Sequence, residues 1–195
     1  MEKKQARGFT LIELLIVIAI LAILATVVLL VINPVQMFAQ ARDSQRIYDM
    51  STLSNATALY LTTVTSPSLA GTGGFVCVTK FGASVAAADE YSLPNSPTQY
   101  AAVGRTVDGL GWVPVKYSDI SGGSPISALP IDPLNTGGGG YNYTYYCDDT
   151  HKWFEFDATM ESDRYKNGGP DDIESTDGGD QADVYEVGNA PGLAL

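Results

Sequence analysis

Apolar residues run almost unbroken through the first helix-length of the chain. From Phe9 to Ile32 the sequence reads FTLIELLIVIAILAILATVVLLVI, with Glu13 as its one charge. As a helix these residues would span about 36 Å at about 1.5 Å per residue, enough to cross a bilayer core. The preceding segment carries Lys3, Lys4 and Arg7 against Glu2. Such a basic flank stays cytoplasmic and directs the rest of the chain outward. A secretory signal would have a shorter apolar core and a small-residue cleavage site; Ala39-Gln40-Ala41 offers the site, but the core is too long and holds a carboxylate. A plain anchor fits the length and leaves Glu13 without a reason, because a carboxylate in apolar surroundings usually has a partner or a function.

The pattern changes at Asn33-Pro34, where proline removes a helical donor and predicts a break. Helix should resume from Val35 to about Thr62. Ile47, Met50, Leu53, Ala56, Tyr60 and Leu61 form a stripe that would pack on a sheet, and Arg42, Asp43, Arg46 and Asp49 supply i,i+3 charge pairs on the other side. Ser66-Pro67 and Gly71-Thr72-Gly73-Gly74 end the helical pattern.

Beyond them the chain reads as short strands and long loops. Phe75–Thr79 and Trp112–Val115 are candidate strands. Tyr141–Cys147 and Lys152–Asp157 flank a turn at Asp148–His151 and predict an antiparallel hairpin. The expected fold class is therefore α+β, a long N-terminal α-helix laid on a small antiparallel β-sheet so that each buries an apolar face.

Composition sharpens this division. The 195 residues carry 11 Lys+Arg and 22 Asp+Glu, a net charge of −11, which argues against binding to phosphate backbones; no direct nucleic-acid site is evident. Residues 14–32 hold no charge, while residues 148–186 hold 13 of the 22 acids. A single histidine and two cysteines leave little for His/Cys metal clusters or a histidine-dependent triad. No Walker loop, dinucleotide fingerprint, Gly-x-Ser-x-Gly or His-Glu-x-x-His occurs, so the reading is not an enzyme and calls for no organic cofactor.

Gly8-Phe9-Thr10-Leu11-Ile12-Glu13-Leu14-Leu15-Ile16 resembles the N-terminal signature of type IV pilins and type II secretion pseudopilins. The resemblance covers about the first 30 residues: a short basic leader, Gly, Phe, a carboxylate five residues after the Gly, and an apolar helix. It implies a pilin-like fold, cleavage by prepilin peptidase between Gly8 and Phe9, and methylation of the new amine on Phe9. Assembly would run through Phe9 and Glu13. Glu13 can face the N-terminus of its own helix, where negative charge is favoured, or neutralise the amine of a neighbouring subunit; the family points to the second. Where the family often places proline this chain has Leu30, and its proline stands at Pro34.

The expected organisation is then a leader at 1–8, a transmembrane and polymerisation helix at 9–34, its amphipathic continuation at 35–65, and an extracytoplasmic β-rich head at 66–195. Leu129-Pro130-Ile131-Asp132-Pro133 is similar to the loop preceding the sheet in major pseudopilins. Cys77 and Cys147 lie in an oxidising compartment and can form a disulfide, or remain buried thiols. The loop bracketed by two cysteines near the end of many type IV pilins has no counterpart after Cys147.

The acidic tail offers possible Ca²⁺ ligands, because carboxylates interleaved with glycine supply oxygens on a tightly turning backbone. Asp163–Glu174 has the length of an EF-hand loop but places Tyr165 at a ligand position. Gly178-Gly179-Asp180-Gln181-Ala182-Asp183-Val184 is similar to the calcium loop of major pseudopilins, which nominates Asp180 and Asp183, with Asp172, Glu174 or Asp177 as the third carboxylate. A solvated acidic loop remains the alternative.

The functional expectation is a structural subunit of a type IV pilus-like filament, inserted in membrane lipid before assembly and later in an extracytoplasmic or cell-surface filament. Its partners would be copies of itself, prepilin peptidase, an inner-membrane assembly platform and a cytoplasmic ATPase motor. The alternatives are a major pseudopilin acting in protein export and a membrane-anchored binding module that never polymerises.

Overall fold

The structure is a computed structural model that describes residues 8–71, 73–86, 98–137 and 140–195. Leader residues 1–7 lie outside the described residues. The chain divides into two compact units, Met1–Phe38 and Ala39–Leu195.

In the first unit, helix α1 spans Leu11–Ile32. Its 22 residues correspond to about 33 Å. Thr10 caps it, and the cap is reciprocal: the Thr10 side chain accepts from Glu13 N while the Glu13 carboxylate accepts from Thr10 N. Asn33, with φ 44°, closes the helix in the left-handed conformation, and Pro34 opens helix α2, Pro34–Thr63. The missing proline donor costs nothing in the first turn of a new helix, so the break falls where the sequence places it.

In the second unit, α2 from Ala39 onward contributes its buried face to one core. Met50, Leu53, Ala56 and Tyr60 are buried there, with Ile47 and Leu61 packed at the margin. The sheet has five strands: β1 Lys80–Ala83, β2 Thr98–Gln99, β3 Tyr143–Asp148, β4 Trp153–Ala158 and β5 Tyr185–Gly188, in the order β2-β1-β3-β4-β5. The hairpin β3–β4 forms as expected, with Tyr145 opposite Phe156 and Asp148 opposite Trp153. Alternation sends Tyr143, Tyr145, Cys147, Phe154, Phe156 and Ala158 into the core shared with α2. The other face carries Thr144, Tyr146, Glu155 and Asp157.

The α+β class stands, with four differences in detail. The sheet is mixed, because β2 pairs parallel to β1. Phe75–Thr79 is coil and turn, with Val78 at φ 75°, and the strand starts at Lys80. Trp112–Val115 is no strand; Pro114 lacks a donor, and the segment instead buries Trp112, Val113 and Val115 from a loop. The charged residues of α2 also do not all face solvent: Asp43, Arg46 and Asp49 extend the buried face that continues through Met50, Leu53, Thr57 and Tyr60.

Candidate functional site

The N-terminal site is built by the first turn of α1. Glu13 Oε2 accepts from Thr10 N at 2.8 Å and from Thr10 Oγ1 at 2.7 Å. The carboxylate therefore turns back on its own helix end, the local of the two pairings open to it. Phe9 is exposed, as are the described side chains of α1 from Leu11 to Leu29. By length and composition the helix can cross a membrane. Gly8, Phe9 and Glu13 thus lie together at the head of an apolar helix whose surface is unburied.

In the head, the strongest electrostatic feature is centred on Arg46. Its guanidinium donates from Nε to Asp132 Oδ2 at 2.6 Å and from Nη2 to Asp132 Oδ1 at 3.0 Å. Nη1 reaches Asp43 Oδ1 at 2.7 Å, and the cation lies 4.7 Å from the centre of the Tyr141 ring. All three charged side chains are fully buried. The carboxylates are satisfied in turn: Asp43 accepts from the backbone of Glu161 and Ser162, and Asp132 from Leu134 and Asn135. Burial opposes the charge on Arg46, but the hydrogen bonds it donates to Asp132 and Asp43, with the charge of those carboxylates, hold its pKa above the ordinary arginine value. Asp132 of the Leu-Pro-Ile-Asp-Pro segment thereby ties the loop before β3 to α2.

Cys77 and Cys147 are joined, with Cα atoms 4.9 Å apart. The bond fastens the turn before β1 to β3, next to the hydrogen bond from Val78 N to Cys147 O. His151 sits in the β3–β4 turn, stacked on Trp153 and paired with Asp148.

The tail acids take separate posts. Asp172 caps a turn, accepting from Gly168 N and from Ser175 N and Oγ; the Ser175 side chain is the main cause of its lowered pKa. Glu174 is buried and accepts from Met160 N and Asn167 N, yet burial outweighs these bonds and raises its pKa. Asp183 accepts from the Asn167 side chain at 3.1 Å. Asp177 accepts from Gly179 N and Glu186 N, and burial raises its pKa as well. Asp180 is exposed on the loop that leads into β5. These five nominated carboxylates form no convergent group of three; among the described residues that arrangement belongs to Glu155, Asp157 and Glu186.

The sequence reading did not nominate those three. Its available signal was the i,i+2 spacing of Glu155 and Asp157, which places both on one face of a strand. What it lacked was β5, which falls within the stretch read as an acidic loop, and the burial of both sheet faces.

An apolar N-terminal helix long enough to cross a membrane, followed by an α+β head, is the layout that defines the class of this protein. Residues 3–29 match the prokaryotic N-terminal methylation motif, the prepilin signature of type IV pilins and pseudopilins. No curated protein and no solved structure matches the chain. The signature is that of a processed structural subunit and not of an enzyme, and it implies cleavage by prepilin peptidase and polymerisation.

Proposed function

We propose that this chain is a structural subunit of a type IV pilus-like filament. Prepilin peptidase cleaves between Gly8 and Phe9, the mature protein waits in the membrane through α1, and an assembly platform and ATPase motor draw it into a surface filament. The observation that carries this reading is the apolar surface of α1, exposed along its length and headed by Glu13. Removing that surface from lipid is favourable only if like surfaces cover it, and a helical array of the same helix does so. During assembly Glu13 would exchange its bonds to Thr10 for the Phe9 amine of a neighbouring subunit.

The test is Glu13→Ala in the native cell. It should leave a processed, membrane-inserted monomer, with a mature chain beginning at methylated Phe9 by mass spectrometry, and should cut the yield of sheared filaments at least about tenfold, consistent with an unpaired terminal charge in an apolar medium. Wild-type filament yield would overturn the pairing of Glu13 with the neighbouring amine. The second reading is a secretion pseudopilin, supported by the Leu129–Pro133 segment and its anchoring of Asp132 on Arg46. Loss of protein export on deletion of the gene, without surface filaments, would favour it.

A further inference from the structure

On the face of the sheet turned away from α2, three carboxylates converge. Glu155 and Asp157 lie two residues apart on β4, and Glu186 on β5 is the direct partner of Asp157. One ligand oxygen from each lies within 4.8 Å of the other two. All three are almost wholly buried: Glu155 is 1% exposed, Asp157 2% and Glu186 2%. The surroundings are of low polarity on one side, where Phe81, Ala83, Tyr146 and Leu195 form a small apolar cluster on the same face.

The donors available to this group do not match its demand. Thr144 Oγ1 satisfies Asp157 Oδ2 at 3.1 Å, and Gln181 N satisfies Glu186 Oε2 at 2.9 Å. Glu155 Oε2 and Asp157 Oδ1 are buried with no hydrogen-bond partner. Burial first, and then the neighbouring carboxylates, push the pKa values of Glu155 and Asp157 upward; burial raises Glu186 to about 7. Buried, mutually repelling carboxylates require a counter-charge or protons.

We propose that Glu155, Asp157 and Glu186 form a binding site for one hard divalent cation, Ca²⁺, that fastens the edge strand β5 to β4. Oxygens bound to a common Ca²⁺ at about 2.3–2.6 Å can lie no more than about 5 Å apart, and this triad meets that limit without rearrangement. An oxygen-only, all-carboxylate donor set suits Ca²⁺ and excludes the softer metals that favour Cys and His. The exposed Asp180 lies close enough for its charge to act on both Glu155 and Glu186. The double glycine beside it has a physical reason: Gly178 takes φ +94°, and a Cβ on Gly179 would fall 1.9 Å from Glu186 Oε2. The loop can therefore close over the triad only with glycine there.

The experiment uses the full chain in detergent, stripped with EDTA and dialysed against CaCl₂ or MgCl₂ near neutral pH. Metal analysis should return about one calcium per chain, and the melting temperature should rise above that in EDTA. The pair Glu155→Gln and Asp157→Asn should abolish both effects while melting no lower than the wild type in EDTA, because two buried carboxyl groups short of hydrogen-bond partners have gone. Should that double variant not fold, Glu186→Gln alone should weaken calcium at least about tenfold by removing one charged ligand. Asp180→Asn with Asp183→Asn, on the tail loop, should still bind about one ion. The proposal is overturned by a wild-type chain that takes up no calcium. It is overturned equally by calcium uptake that survives in the triad variants, or by stabilisation that follows acidification in EDTA with no calcium bound, which would assign the site a shared proton.

Discussion

Arg46 shows how one side chain can hold several segments of the head at once. It is fully buried, and it reaches Asp43 on its own helix, Asp132 in the loop before β3, and, at 3.5 Å, Glu161 after β4. Taking a guanidinium and two carboxylates out of water is costly, so the network's net worth is small, whereas breaking it strands charge in the interior. Arg46→Ala should therefore destabilise the head by about 3–5 kcal/mol. Arg46→Lys should recover only part of that loss, because an ammonium cannot reproduce the two-pronged contact with Asp132. Urea unfolding followed by the fluorescence of the buried Trp112 would measure both; equal stability of wild type and Arg46→Ala would show that the network is dispensable. The sequence reading identified the i,i+3 spacing of Asp43 and Arg46 but assigned the pair to solvent. Nothing within α2 distinguishes a surface pair from a buried one. The deciding partner, Asp132, lies 86 residues away.

Among the elements, those with a strong local pattern were legible and those defined by distant partners were not. The apolar run of α1, the break at Asn33-Pro34 and the tyrosine-rich hairpin β3–β4 each follow from residues within one turn or one strand pair. In contrast, β1 lies five residues beyond its expected start at Phe75, and the intervening turn is fixed by Cys77, whose partner is 70 residues further on. The parallel pairing of β2 and the edge strand β5 carry only two and four residues, too few for alternation to declare itself. Among the candidate sites, the prepilin signature at residues 3–29 was readable because its spacing is local, while the carboxylate triad needs a cross-strand register that no sequence window contains. The disulfide is the element-scale device that compensates for this non-local order. By the chain-entropy argument a bridge closing a loop of this length contributes roughly 4 kcal/mol. Cys77→Ser with Cys147→Ser should lower the head's stability by about that amount, and amide exchange should speed most in Phe75–Ala83, where short β1 has few bonds of its own. Uniform acceleration across all strands would mean that the bridge acts through the unfolded chain alone, as the entropy argument has it, and adds no local hold on the turn before β1.

The whole molecule combines two solvents in one sequence. Cleavage after Gly8 would remove three basic residues and one acid and move the side-chain charge from −11 to −13. Nearly all of that charge belongs to the head, since residues 14–32 carry none. Polymerisation through α1 would bring many such heads to the same fibre, so apolar attraction between helices works against electrostatic repulsion between heads. The two terms respond differently to salt. Apolar burial is little changed by moderate ionic strength, while repulsion between exposed charges reaches about 30 Å at 0.01 M salt and about 10 Å at 0.1 M. Sheared filaments should therefore remain pelletable near 0.1 M NaCl and lose a substantial fraction of subunits to the supernatant near 0.01 M, with choline chloride restoring them as well as NaCl does. Equal recovery with two chemically unlike cations separates general screening from occupation of the carboxylate triad, which requires a divalent ion. If the pelletable fraction were constant across that range, head repulsion would not contribute to filament stability, and the acidic surface would have to be explained by its contacts with other molecules.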